Sequence, residues 1–301
     1  MVPSIGEGFS AAWRKMKETL FRPFNWSTWL VLSLGFWLAQ LGEGGARVDL
    51  PFKPGTGAEI TDALTNSLQS AADATGTTVM MFLLIAGSVF FLFVLVIGLI
   101  LLWVRSRARF ITLDMMIRGV SADSFGARWN TFARQGNSFF LAQILLFVFL
   151  FLLGIAFVAL TGIGAAMALR ENSSASDICL LIGAGIVFGL FAFLAWIYLQ
   201  LYQDYGAVLM YRSGCSGHEA IRALNRKLFS KPGVFIRYLL GFFIIVMLAA
   251  FGVGLFSCLT CCIGAIILAI PFVGTMVLLP VFVFRWQFML EFFDNEEMLN
   301  R

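Results

Sequence analysis

The chain has 301 residues, 60% of them hydrophobic and 13% charged, with a formal net charge of +4. One soluble core cannot bury that much apolar surface, so the composition excludes a soluble globular protein and implies a membrane protein. The 33 Phe against 7 Pro and 1 His exclude disordered, collagenous and disulfide-scaffold chains. No long polar stretch leaves room for a separate soluble catalytic domain, and no nucleic-acid partner is implied.

Hydrocarbon about 30 Å thick needs roughly 20 apolar helical residues per crossing. Six runs qualify as candidate spans: Asn25 to Leu41, Val79 to Val104, Ser138 to Leu169, Ile178 to Gln203, Gly233 to Ser257 and Cys262 to Phe284. The first is short, and the third and fourth exceed a perpendicular crossing, which implies tilt. No cleavable signal sequence is expected, because the first twenty residues lack an apolar core. With Met1 in the cytoplasm, 18 of the 21 Lys and Arg fall inside and only Arg47, Lys53 and Arg170 outside. The positive-inside rule then places both termini in the cytoplasm of an inner, cytoplasmic membrane. Trp26, Trp29, Trp103 and Trp286 flank spans, where indole rings prefer the headgroup layer.

Before spans one, three and five lies a short basic segment. In the first, Ile5, Phe9, Ala12, Trp13, Met16 and Leu20 share a helical face, with Arg14, Lys15, Lys17 and Glu18 on the others. Ser4 and Glu7 have the spacing of a capping box. The second segment has Phe125, Trp129 and Phe132 as its apolar face, with Arg128 and Arg134 available for phosphate groups. The third sets Ile221, Leu224 and Leu228 against Arg222, Arg226 and Lys227, and Ser216 with Glu219 forms a second capping box. Each segment ends alike, in LFRPFNWS, TFARQGNS and LFSKPGVF. Pro23, Gly136 and Pro232 are the expected bends from the membrane plane into its normal. The second spans of the first two units also echo, in LDMMIRG ending at Gly119 and VLMYRSG ending at Gly214.

The expected fold is therefore all-α: a polytopic membrane bundle of six transmembrane helices plus three interfacial amphipathic helices, in a threefold helix-hairpin repeat. The whole chain, 1–301, forms a single membrane domain, with units at about 4–104, 121–203 and 216–284 and an outer loop at 42–78.

The segments WRKMKETLFRPFNWSTWLVLSLGFWLAQLGEGG and CLTCCIGAIILAIPFVGTMVLLPVFVF resemble an uncharacterised family of bacterial six-span integral membrane proteins. That family is distantly similar to the membrane domain of glycerophosphodiester phosphodiesterases. The resemblance implies the membrane fold and carries over no active-site residue, because in those phosphodiesterases the hydrolase chemistry resides in a separate soluble domain.

Candidate sites are few. Cys258, Cys261 and Cys262 in CLTCC sit at an outer turn and invite a thiol-redox reading. No nearby cation lowers a thiol pKa, however, so packing of a tight hairpin is the plainer reading. Ala250, Gly254 and Cys258, facing Ala265 and Ala269, are expected to let two helices approach closely, and Gly185 with Gly189 forms a GxxxG pattern. Cys179 and Cys215 read as small buried or interfacial residues. His218 stands alone in a helix start. Asp114 precedes Arg118 by four residues, as in a surface ion pair. Asp204, after Tyr198, Gln200 and Tyr202, is the most concentrated polar group near a span, and Glu291 lies just past the last one. Pro271, Pro280 and Gly274 are placed to kink span six. In the outer loop, Thr56 and Glu59 could cap a short helix bearing Ile60, Leu64 and Leu68.

No catalytic constellation, cofactor site or metal site is expected. The leading functional reading is a non-enzymatic accessory, assembly or scaffolding protein. Its partners are membrane lipids, met by Arg14, Lys15, Lys17, Arg128, Arg134, Arg222, Arg226 and Lys227, and a membrane-protein partner or a second copy of the chain. A permease for an apolar or amphiphilic solute is the alternative, and a thiol-redox enzyme is third.

Overall fold

A computed structural model describes residues 4–22, 24–41, 79–119, 124–168, 175–260, 263–270 and 272–294. Regular structure within them is helical, with no strand among the described residues. In chain order the helices are α1 (Ile5–Phe21), α2 (Trp26–Ala39), α3 (Val79–Arg118), α4 (Ser124–Thr131), α5 (Ala133–Ala168) and α6 (Ala175–Leu201). A π-helical turn, Tyr202–Gly206, carries α6 into α7 (Ala207–Ser213). Then follow α8 (Gly217–Ser230), α9 (Pro232–Leu259), α10 (Ile263–Ala269), α11 (Val273–Val277) and α12 (Leu279–Phe293). The outer loop 42–78, Pro23, Pro271, Cys261 and Cys262 lie outside the described residues.

Four stretches are long and apolar enough to cross a bilayer: Leu84–Arg118, Ala133–Ala159, Gly183–Ser213 and Pro232–Leu259. They are the helices of a membrane protein. The other two expected spans are shorter. Helix α2 has 14 residues, a rise of about 21 Å at 1.5 Å per residue against a hydrocarbon layer of about 30 Å. The last expected span is divided into α10, α11 and α12. Phe272 between the first two has φ 69°, a backbone conformation disfavoured by its Cβ. Pro280 stands in the first turn of α12, where its missing N–H breaks no ladder bond.

Both expected capping boxes form. Ser4 Oγ accepts from the Glu7 N–H at 3.3 Å while Glu7 Oε2 accepts from the Ser4 N–H at 2.8 Å. The corresponding distances at Ser216 and Glu219 are 3.4 Å and 2.9 Å. Helices α3 and α7 end the same way, at Gly119 (φ 91°) and Gly214 (φ 64°). Their N–H groups donate to the carbonyls of Met115 and Met210, closing each helix with a left-handed residue that glycine adopts without strain.

Gly136 behaves differently from expectation. The interruption falls at Phe132, and Gly136 lies inside α5. A Cβ there would stand 3.0 Å from Arg107 Cα, so the glycine serves close packing of α5 on α3. The Ala250, Gly254 and Cys258 row is exposed, and neither Gly254 nor Gly185 nor Gly189 has a neighbour near its Cβ position. The approach of α9 to α10 is made instead by Gly264, whose N–H donates to Thr260 Oγ1 at 2.9 Å.

Helix α1 packs along α12, α2 against α3, and α5 against α3, α6 and α8. The buried core gathers at one end of these helices. It takes in residues 105–116 of α3 except Arg107, residues 201–210 except Gln203, and most of 286–293 in α12. Close-packed rings fill it: Tyr238 and Phe293 have centroids 4.5 Å apart and Phe288 and Phe292 4.8 Å, both pairs tilted, and Phe139 stacks on Tyr202 at 5.2 Å. Further along, the same helices are bare. Residues 84–100 of α3 and 185–190 of α6 are exposed, which in a membrane protein is surface for acyl chains.

Candidate functional site

Where α3, the π turn and α12 meet inside that core, ionised groups replace apolar ones. Asp204 sits in the π turn, whose wider winding marks a local departure from the α-helical ladder. It is 1% exposed. Arg109 Nη2 donates to its Oδ1 at 2.6 Å, and Oδ2 accepts from Tyr238 OH at 2.6 Å and Gln200 Nε2 at 2.8 Å. Arg285 Nη2 stands 3.7 Å from the same oxygen. Gln203 Oε1 accepts from both Arg105 (2.7 Å) and Arg109 (3.2 Å). Aromatic faces cover the cations: Arg109 lies 5.4 Å from the Trp286 ring centroid and Arg285 lies 4.8 Å from that of Phe242. Such a network fixes the relative rotation of three helices, because each partner is costly to leave unpaired at low dielectric.

A second cluster closes the same end. Asp114, also buried, accepts from Tyr211 OH at 2.7 Å and pairs with Arg128 Nη1 at 2.7 Å and Arg118 Nε at 3.1 Å. The expected exposed Asp114–Arg118 pair is thus the outer part of a partly buried network. Arg128, expected to face lipid phosphate, has its guanidinium on Asp114 and is 18% exposed.

The remaining basic residues lie around this end. Arg14, Lys17, Arg134, Arg222 and Arg226 are exposed and Lys227 is half-buried. Lys15 pairs with Glu291 at 2.5 Å, and Arg212 forms a two-pronged pair with Asp294. Between α1, the start of α2, α12 and the ends of α3 and α7 opens a cleft of 960 Å³, bordered by Lys15, Glu18, Arg22, Arg118, Arg212 and Glu291. A smaller hollow of 180 Å³ lies beside Arg222, Arg226, Lys227 and the buried Cys215. His218 is exposed. At the start of α1, the Ser4 backbone N–H and then its hydroxyl hold the Glu7 carboxyl below its ordinary pKa.

Along the apolar halves of α5 and α6 runs a groove of 580 Å³ lined by Phe147, Phe151, Gly154, Phe188, Phe191 and Trp196. Cys258 is an exposed free thiol. Among the described residues no three His, Cys, Asp or Glu side chains gather as a metal site would need. Trp103, within α3, packs under Arg107, whose guanidinium is 4.2 Å from the ring centroid. Trp286 does not face headgroups: it is 4% exposed and packs edge-on against Phe36 at 5.0 Å.

Sequence reasoning singles out Asp204 but reads Arg105, Arg109 and Arg285 only as orientation signals. Their spacing holds a clue, since Arg105 and Arg109 share one helix face in a run otherwise flanked by apolar residues.

The helices and their buried ion network define an all-α membrane protein. Residues 5–293 match the profile of the Family of unknown function (DUF7544), and the chain belongs to that family. No curated protein and no solved structure matches it.

Proposed function

We propose that the protein is a non-enzymatic integral inner-membrane component of bacterial origin, an accessory, assembly or scaffolding protein that binds anionic lipid and a membrane partner. It crosses six times, with both termini in the cytoplasm. Helices α1, α4 and α8 lie on the cytoplasmic surface as amphipathic interfacial elements. One observation carries the reading: charged groups collect in and around one packed end, while the long helices beyond it present apolar surface and an apolar groove. Scaffolds need a rigid end and a lateral surface, whereas carriers coupled to ions place ionisable groups along a solute path.

The threefold repeat gains support from the ion network. Arg109 stands as far before Gly119 as Asp204 stands before Gly214, and each is followed by a buried aromatic, Phe110 or Tyr205. Just past the third unit, Arg285 precedes the buried Trp286. A permease is the second reading, favoured by the broken α10–α11–α12 path with its left-handed Phe272.

Purification of the native complex in mild detergent, with identification of co-purifying chains and lipids, tests the proposal. A membrane-protein partner and retained anionic lipid are expected. Recovery of the chain alone, without bound lipid and with solute flux in vesicles, would favour the permease.

A further inference from the structure

The charges on Asp204 do not balance. Two guanidinium groups, those of Arg109 and Arg285, converge on this one carboxylate, which carries a single negative charge. Both its oxygens already accept strong hydrogen bonds. Asp114, the other buried carboxylate among the described residues, is engaged by Arg118 and Arg128 instead. An excess of positive charge therefore sits where Arg109 is 3% exposed and Asp204 1%. Such an excess repels itself and is costly at low dielectric. Donor capacity is also left over: Arg109 Nε and Arg285 Nε are buried and have no hydrogen-bond partner among the described residues. Arg285, at 19% side-chain exposure, gives the cluster an edge open to a ligand.

We propose that the Arg109–Arg285 cluster is a binding site for a phosphate-bearing anion. Phosphate brings the missing negative charge, and its oxygens accept the paired N–H groups of guanidinium in geometry that a halide cannot reproduce. Arg105, on the same helix face as Arg109, immediately follows the apolar run that ends at Val104, so the site lies at headgroup depth in the six-span arrangement. Two sources share this chemistry, a lipid phosphate headgroup and a free phosphate. The site itself is independent of α1, α4 and α8; it rests on the lipid-binding reading only for the choice of source. Binding in the core would lock α3, the π turn and α12 together, so the anion serves as a structural clamp on the packed end.

The test uses the full chain, purified in detergent and stripped of lipid, with its thermal unfolding followed against added ligand. One arm receives inorganic phosphate, one short-chain phosphatidic acid, and one short-chain phosphatidylcholine as a neutral-lipid control. The midpoint should rise with phosphatidic acid and not with phosphatidylcholine. A matching rise with inorganic phosphate assigns the site to the free anion as well, and no such rise assigns it to the lipid. Arg285→Gln should weaken the apparent affinity at least tenfold, and Arg285→Lys, which keeps the charge but loses the paired N–H groups, should fall between it and the unmodified chain. Without ligand, Arg285→Gln should unfold no earlier than the unmodified chain, since it removes the excess charge. A variant with Arg222, Arg226 and Lys227 all changed to Gln should keep the shift.

No shift with either phosphate ligand overturns the proposal, as does an undiminished shift in Arg285→Gln or failure of both Arg285 variants to fold. Loss of the shift in the triple variant alone would move the anion to the surface of α8. That outcome overturns the core site and leaves the lipid-binding reading standing.

Discussion

Arg109 and Asp204 occupy the same place relative to the glycine that ends their respective helices, and they bind each other at 2.6 Å. One is 3% exposed and the other 1%. Two similar stretches of chain thus meet face to face through residues of opposite charge at the centre of the packed end. Two like charges would repel at this point, so the opposite signs of Arg109 and Asp204 are what let the two stretches close on each other.

Breaking that pair from one side should be severe. Asp204→Asn leaves Arg109 and Arg285 without the carboxylate they share, and an unpaired buried charge costs about 3–5 kcal/mol. Equilibrium unfolding in detergent should register a loss of that order. Replacing both partners, Arg109→Met with Asp204→Leu, should recover part of it, because Arg109 no longer stays charged and unpaired while Arg285, Tyr238 and Gln200 still lose their acceptor. Equal losses in the single and double variants would deny the coupling between the two residues.

Acid should loosen the start of α1. The Glu7 carboxyl accepts from the Ser4 N–H and hydroxyl, both at 2.8 Å, and its pKa is lowered by them. A depressed carboxylate pKa means stabilisation that is complete above the ordinary carboxylate range and lost as pH falls through the folded value. Protection of the α1 amides, taken relative to the intrinsic exchange rate at each pH, should therefore fall at low pH in the native chain. Glu7→Gln should exchange faster at neutral pH and lose the acid-dependent step, and an unaltered pH profile in that variant would remove Glu7 as its origin.

Helix starts are legible from local rules, because capping depends on residues three apart and needs no tertiary partner. Ser4 with Glu7 and Ser216 with Glu219 are such cases. The four long apolar helices are legible for the same reason, since hydropathy is a property of one segment. What stays hidden depends on neighbours far along the chain. Trp286 reads as an interface anchor until Phe36 and Arg109 enclose it, and Gly136 reads as a hinge until Arg107 fills the space beside it. Arg105, Arg109 and Arg285 read as topology signals because nothing local says that they turn inward towards Asp204. Hydropathy alone implies six crossings, yet α2 is short and the last run is divided by a left-handed residue at Phe272, which hydropathy does not register.

The proposed six-span arrangement puts 18 of the 21 basic residues on one side, which is the basis of the proposed orientation. In a cysteine-free background, single cysteines at Ala58 and Ser174 should react with an impermeant thiol reagent applied to intact cells. One at Ser124 should react only after lysis. The reverse pattern would invert the topology.

The CLTCC segment separates structural from redox roles. Cys258 is an exposed free thiol, and the nearby approach of two helices is made by Gly264 and Thr260. Changing Cys258, Cys261 and Cys262 together to Ala should preserve expression and the unfolding midpoint. A pair that cycles must show two thiol-labelling states in cells that respond to the redox supply. Two such states would promote the thiol-redox reading.

Two glycines on long helices should respond oppositely to the same change. At Gly136 an added methyl would meet Arg107, 3.0 Å from its Cα and 2.6 Å from its Cγ. The Arg107 side chain is itself held, with Nη2 donating to Asn137 Oδ1 at 3.0 Å and its guanidinium stacked on Trp103. It therefore has little freedom to withdraw, and the clash with the Arg107 backbone requires α3 and α5 to move apart. Overpacking of this kind costs about 1–3 kcal/mol, so Gly136→Ala should lower the unfolding midpoint and free the Trp103 indole, visible as a change in tryptophan emission. Gly185 has nothing near its Cβ position. Gly185→Ala should leave the folded monomer unchanged. If Gly185 and Gly189 pack between two copies, the same substitution should weaken association in detergent, read by sedimentation, with the midpoint at dilution unaltered. Equal destabilisation at both positions would show that the face of α6 bearing Gly185 is packed within one chain rather than open to lipid or to a second copy.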